Sequence, residues 1–102
     1  MSEAETKARL ESGIAKNARH IFRDAEGHIA DDTPDNRQRF VDVVREPAHY
    51  LGADKYGSDW YAKTLPTGEQ LWVQVRNGEI RNAGKNQSPK RWTAATGLAG
   101  SL

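Results

Sequence analysis

The chain contains no cysteine, which excludes disulfide staples, thiolate metal sites and a cysteine nucleophile. It has no apolar run of membrane-spanning length, so no membrane partner is expected. Its first residues, MSEAETKARLESG, lack the charged-then-apolar pattern of a secretion signal, and any export is expected to be arranged by sequence outside this chain. An excess of one charge is also missing: 15 Lys and Arg stand against 14 Asp and Glu, a formal net charge of +1, which by itself does not indicate a nucleic-acid binder. There is no Walker loop, dinucleotide fingerprint, nucleophile elbow, HExxH or HxE with a Cys pair. The chemistry is therefore expected to be done by side chains, with no cofactor.

What is present first bounds the size of the answer. At 102 residues and 36% hydrophobic content, the chain reads as one domain over 1–102 that can bury a core with little to spare. It divides into a helical part (3–46), a sheet part (58–86) and a C-terminal tail (87–102).

Residues 60–86, WYAKTLPTGEQLWVQVRNGEIRNAGKN, spell a three-stranded antiparallel meander. Asn77-Gly78 is a strong type I′ hairpin signal and Thr67-Gly68 after Pro66 a weaker one. If Arg76 faces Glu79, Val75 pairs with Ile80, Gln74 with Arg81 and Trp72 with Ala83. If Pro66 faces Glu69, Lys63 pairs with Trp72 and Tyr61 with Gln74. Alternation then places Trp60, Ala62, Thr64, Leu71, Val73, Val75 and Ile80 on a core face. Tyr61, Lys63, Trp72, Gln74, Arg76, Glu79 and Arg81 fall on the other, either as a solvated face in which Arg76 and Glu79 pair across strands or as a platform for a ligand.

Ahead of the meander, residues 3–23 read as one amphipathic helix on Leu10, Ile14, Ala18 and Ile21, weakened by Gly13 and ended near Gly27. A second helix begins with Thr33 as cap and Pro34 in the first position and runs to about Glu46, where Pro47 stops it. Asn36 and Arg37 extend its apolar face and are polar residues pointing toward a core. Residues 47–59 read as irregular apart from one turn around 48–51, and the tail GLAGSL as loosely ordered, with Trp92 an anchor before it.

Charge is unevenly distributed. From Arg76 onward five cations face one carboxylate, whereas the first 34 residues hold five cations and seven carboxylates. This suits a localised phosphate-binding surface. Of three histidines, His49 reads as a satisfied residue, while His20 and His28 bracket a helix end with Arg23 between them. A metal site is possible from His20 and His28 with Asp31 or Asp32, but two histidines without a third convergent ligand are a weak signal. Paired imidazoles near a cationic sheet face point instead to cleavage of RNA, which needs a base for the 2′-hydroxyl, an acid for the leaving 5′-oxygen and fixed cations for the phosphorane. Histidine supplies the proton transfers near neutral pH. Lys63, Arg76, Arg81 and Lys85 are the candidate cations, and Tyr61 and Trp72 the candidate stacking surfaces. Gln74, Asn36, Arg37, Asn82 and Asn86 are candidate polar contacts to the RNA.

HIFRDAEGHIADDTPDNRQRFVDVV, LGADKYGSDWYAK and GEQLWVQVRNGEIRNAGKN together resemble the C-terminal toxin module of CdiA-type contact-dependent growth inhibition proteins and related filamentous haemagglutinin-like polymorphic toxins. The likeness covers roughly residues 20–86. It implies an α+β fold of the barnase/EndoU/colicin/RelE-like kind, with N-terminal helices packed on a twisted antiparallel sheet and the active site on the sheet's open face. It further implies a tRNA or other RNA nuclease, secreted as part of a larger surface-exposed toxin and delivered to a neighbouring cell's cytoplasm. A cognate immunity protein, and in some systems a translation elongation factor acting as helper, are the implied protein partners. Two rivals remain: a non-catalytic protein-binding module of immunity or adaptor type using Tyr61, Trp72 and Arg76, and a metal-dependent DNase.

Overall fold

A computed structural model describes residues 2–101. The chain opens with α1 (Glu3–Lys16), whose Ser2 cap and Glu5 exchange hydrogen bonds in a capping box. Leu10, Gly13 and Ile14 form its buried face. The single long helix expected over 3–23 is broken. Asn17 leaves helical geometry (φ −110°, ψ 17°), because its side-chain amide donates to Gly13 O at 2.9 Å and Ile80 O at 3.2 Å, offering the backbone an alternative to another helical turn. The short α2 (Ala18–Ile21) follows. Gly13 is a packing residue, since a Cβ there would come within 2.6 Å of the Ile80 carbonyl oxygen. Its absence lets α1 lie against the sheet backbone.

The third helix, α3 (Pro34–Arg45), starts as expected, with Thr33 accepting from the Asn36 N–H at 3.1 Å and proline in the first turn. A 3₁₀ turn (Pro47–His49) follows. The sheet strands are β1 (Tyr50–Ala53), β2 (Asp59–Thr64), β3 (Gln70–Arg76) and β4 (Glu79–Asn86), all antiparallel in the order β1-β2-β3-β4. A second, two-stranded sheet pairs β5 (Lys90–Thr93) with β6 (Gly97–Ser101). Helices packed on an antiparallel sheet make this an α+β fold. Phe40, Leu10, Ile14, Ile21, Ile80, Val41 and Val73 are its most deeply buried side chains, so the core lies between α1, α3 and one face of β3 and β4.

Two register details change which residues share a face. The β2–β3 connection is a three-residue loop, Pro66-Thr67-Gly68, with Leu65 bonded to Glu69 and Gly68 at φ +92°. It pairs Tyr61 with Val73, Ala62 with Trp72 and Lys63 with Leu71, one residue away from the expected pairing. A one-residue slip exchanges the faces of a whole strand. Tyr61 and Lys63 therefore stand on the helix side, while Trp60 and Ala62 join Trp72 and Gln74 on the other. At the second turn Val75↔Ile80 and Arg76↔Glu79 form as expected, with Asn77 at φ +53° and Gly78 at +75°. A bulge then shifts the ladder, so that Gln74 faces Asn82, Val73 faces Ala83 and Trp72 faces Gly84.

The supposed open face is covered. The β5–β6 hairpin folds back across it, seating Trp92 at Gly52, where a Cβ would come within 2.7 Å of its ring, and Gly97 at Trp60, where a Cβ would come within 2.8 Å. Gln70 ties it down, donating to Lys90 O at 3.4 Å and accepting from Lys90 N at 3.0 Å. The stretch expected to be irregular thus contains an edge strand, and the tail expected to be loose forms β6.

Candidate active site

After α2 the chain makes a closed loop. Phe22 and Ile29 form a parallel bridge, Arg23 N donates to Ile29 O at 3.1 Å, and His28 N donates to Ala25 O at 3.0 Å, with Gly27 at φ +80° between them. This returns His28 to the end of α2. Its Nδ1 lies 2.9 Å from Ile21 O and its Nε2 lies 3.0 Å from an Arg23 guanidinium nitrogen. A guanidinium has only donors, so Nε2 must accept and Nδ1 must carry the proton that binds Ile21 O. The His28 ring stands edge-on to Trp72 at 5.6 Å and lies 6.4 Å from the ring of His20. Burial pushes the His28 pKa below its ordinary value. The Ile21 hydrogen bond opposes that effect, and the charges of Arg23 and His20 add to it. Neutral imidazole is the favoured form.

The sheet holds this loop through one carbonyl. Gly27 O accepts from Lys85 N at 3.1 Å and from the Trp72 indole N–H at 3.0 Å. Trp72 reaches it by crossing Gly84, where a Cβ would overlap Gly27 O and come within 2.9 Å of the indole nitrogen. A glycine inside a strand signals such a close backbone approach. Below the loop runs a groove of about 750 Å³ lined by His28, Lys85, Asn86 and Lys90, and by the carboxylates Asp24, Glu26 and Glu69. Glu69 lies 3.3 Å from the Lys85 ammonium. Asn86, almost wholly buried, donates to Gln70 Oε1 at 2.9 Å, and since Gln70 is locked by the Lys90 backbone, the Asn86 amide has a fixed orientation.

His20, Arg23, His28 and Lys85 are brought to one end of the molecule. The other expected site residues are not. Arg76 lies four residues along β3 from Trp72, about 13 Å at the usual strand rise, and binds Tyr56 O at the far end of the sheet. It does not pair with Glu79, whose carboxylate binds Lys16 at 2.6 Å. Lys63 faces α3, beside Arg39 and His49. Tyr61 is half-buried against the core and Tyr50, and Trp72 is 8% exposed. Neither presents a free face for a base, so the stacking platform is replaced by a buried tryptophan that braces His28. Gln74 is occupied by Ser58 Oγ at 3.1 Å, Asn82 accepts from Ala83 N, and Arg81 is exposed at the bulge.

Asn36 and Arg37 belong elsewhere too. Asn36 donates to Asp31 O at 2.9 Å, and Arg37 forks onto Asp32 at 2.6 and 2.7 Å, beside a separate groove of about 500 Å³ between α1 and α3. The Arg37 fork holds the Asp32 pKa below its ordinary value. His49 is satisfied by its Nδ1 contact with Val43 O at 2.9 Å. Among the described residues no three His, Asp or Glu side chains converge as metal ligands.

No family model, curated protein or solved structure matches this chain. The two imidazole rings lie 6.4 Å apart, and the His28 ring, fixed in tautomer and favoured neutral, meets the Arg23 guanidinium beside a groove of mixed charge. Such a set can move two protons and bind one oxyanion. Sequence reading took Gly27 only as a helix end and did not place Glu69, Gly84 or Lys90 at the site, although Gly84 carried a signal as a glycine within a strand pattern.

Proposed function

We propose that this domain is a metal-independent endoribonuclease whose site is His20, Arg23 and His28, with Lys85 at the groove wall. The observation that carries the reading is that the His20 and His28 rings lie 6.4 Å apart while His28 Nε2 meets the Arg23 guanidinium. That spacing lets one phosphodiester sit between a base and an acid, each within direct or single-water reach.

His28, held neutral, is the base. An incoming phosphate draws the exposed Arg23 guanidinium off Nε2 and onto its own oxygens, which frees the lone pair for the 2′-hydroxyl proton. The 2′-oxygen attacks phosphorus, His20 protonates the departing 5′-oxygen, and a 2′,3′-cyclic phosphate is left. Arg23 and Lys85 offset the charge on the phosphorane. The proton accepted by His28 is carried while Nδ1 remains bonded to Ile21 O, which keeps the ring in place through the step.

On this reading the chain is a CdiA-type toxin module of barnase/EndoU/colicin/RelE-like character, delivered to the cytoplasm of a neighbouring cell and acting on tRNA. Its producer then needs a cognate immunity protein, and an elongation factor is a candidate helper. A second reading, a non-catalytic protein-binding module, is favoured by the exposed Tyr50, Leu51 and Tyr56 around the β1 edge. Incubation with total tRNA, with and without EDTA, tests the two. Cleavage that survives EDTA and leaves cyclic phosphate ends supports the proposal. Cleavage lost with EDTA indicates a metal-dependent nuclease, and intact RNA leaves the binding module.

A further inference from the structure

The register of β2 places Lys63 on the helix side of an interior strand, opposite α3. Arg39, Asp42 and Val43 lie on one face of α3 at helical spacing, and the 3₁₀ turn after Pro47 brings His49 alongside. Together with Leu65 and Leu71 these residues line an open pocket of about 130 Å³. Its floor is apolar (Val43, Leu65, Leu71) and its rim carries Arg39, Lys63 and His49 against Asp42.

The two cations, Arg39 and Lys63, are not neutralised by the fold. Among the described residues neither Arg39, Lys63 nor His49 is ion-paired to a carboxylate. The Arg39 guanidinium makes one long hydrogen bond, 3.4 Å to Asn36 Oδ1, which leaves most of its fork free. His49 donates from Nδ1 to Val43 O, which leaves Nε2 as an acceptor that can take the proton of a phosphate P–OH. Asp42 is engaged by Gln38 at 2.7 Å. Glu69 lies close enough to feel Arg39 but is bonded to Thr67 and Lys85. Arg39 and Lys63, side by side on the pocket rim without carboxylate partners, repel one another, and a bound oxyanion removes that cost. A guanidinium fork beside an ammonium matches the geometry of phosphate oxygens.

We propose that Arg39, Lys63 and His49 form a phosphate-binding site. The volume holds one phosphate group, which enters as a phosphate of an RNA strand or of a small phosphate compound. The site is separate from the groove beside His28, and its existence does not depend on the ribonuclease reading.

The test uses the intact protein, followed by ¹H–¹⁵N spectra, with inorganic phosphate as probe and acetate as a charge control. Saturable shifts of the Arg39 side-chain N–H and of the Val43 and Leu65 amides are expected with phosphate only. Arg39→Gln and Lys63→Gln should each weaken binding about tenfold, and Asp42→Asn should strengthen it, a gain that misfolding cannot mimic. A second arm titrates a single-stranded oligoribonucleotide against salt. If the phosphate belongs to RNA, the slope of log K on log salt falls by about 0.7 in the Arg39→Gln/Lys63→Gln double variant. An unchanged slope, with phosphate binding present in the parent protein, assigns the site to a small phosphate compound. No saturable response, an equal response to acetate, or a response undiminished in the variants overturns the proposal.

Discussion

Replacing Gly84 with alanine puts one methyl group where the Gly27 carbonyl oxygen now lies. In an ordinary strand the change would be mildly favourable, by roughly 0.5–1 kcal/mol, because glycine loses the most conformational freedom on folding. Here the methyl must expel Gly27 O, and with it the bonds from Lys85 N at 3.1 Å and Trp72 Nε1 at 3.0 Å. Two hydrogen bonds at about 1 kcal/mol each, with a buried indole N–H left unpaired at a further 1–3 kcal/mol, set the loss. Allowing for the strand preference, Gly84→Ala should destabilise by about 2–4 kcal/mol. For a domain of this size that is roughly 10–25 °C in melting temperature. Urea unfolding followed by tryptophan fluorescence gives the free energy, and the Trp72 indole N–H resonance reports the lost bond. A change below about 0.5 kcal/mol, with that resonance unmoved, would refute the view that Gly27 is clamped against the sheet and that His28 is positioned by that clamp.

The remaining predictions concern packing and protonation. Gly13→Ala should destabilise by about 1–3 kcal/mol through overpacking against Ile80, rather than gain the roughly 1 kcal/mol expected of alanine in a helix; the urea midpoint decides the sign. The His28 pKa is lowered in the folded protein, so between that lowered value and about 6.5 the unfolded chain binds more protons. Its contribution is fully present above about pH 6.5 and is lost as pH falls through the folded pKa. Unfolding free energies across that window should therefore decline more steeply for the parent protein than for His28→Gln, and the opposite order would contradict a neutral, half-buried ring. Asp32, Asp54, Glu69 and Glu79 have lowered pKa values, and their contributions fade at lower pH, as carboxylates protonate below about pH 4.

Local signals carried much of the fold. Thr33-Pro34 marked the start of α3, Asn77-Gly78 fixed the tip of the β3–β4 hairpin, and alternation through Leu71, Val73 and Val75 marked the core side of β3. Register did not follow from those signals. Pro66-Thr67-Gly68 forms a three-residue loop where a two-residue turn was expected, and the bulge beyond Ile80 leaves no mark in composition. Each shifts pairing by one residue, and with a side-chain period of two that moved Tyr61 and Lys63 from the supposed platform to the helix side. The strands β1, β5 and β6 were missed for a related reason. They are four or five residues long with no clear alternation, and form only because each finds a tertiary partner, such as Trp92 on Gly52.

The candidate site was legible where it depended on neighbours in sequence. His20, Arg23 and His28 sit on one short helix end and its loop, so their spacing held their proximity. Lys85 joined them through the sheet. Arg76 and Lys63 did not, because their placement depended on strand length and register, which residue type does not encode.

The central claim is tested most directly by comparing RNA cleavage, in the presence of EDTA, by the parent protein with that by His20→Ala and His28→Ala variants that retain the parent far-UV spectrum. The account predicts that each variant loses at least about a hundredfold of the rate, as removal of a general acid or base requires. Full activity in both variants, or no cleavage by the parent protein, would contradict it.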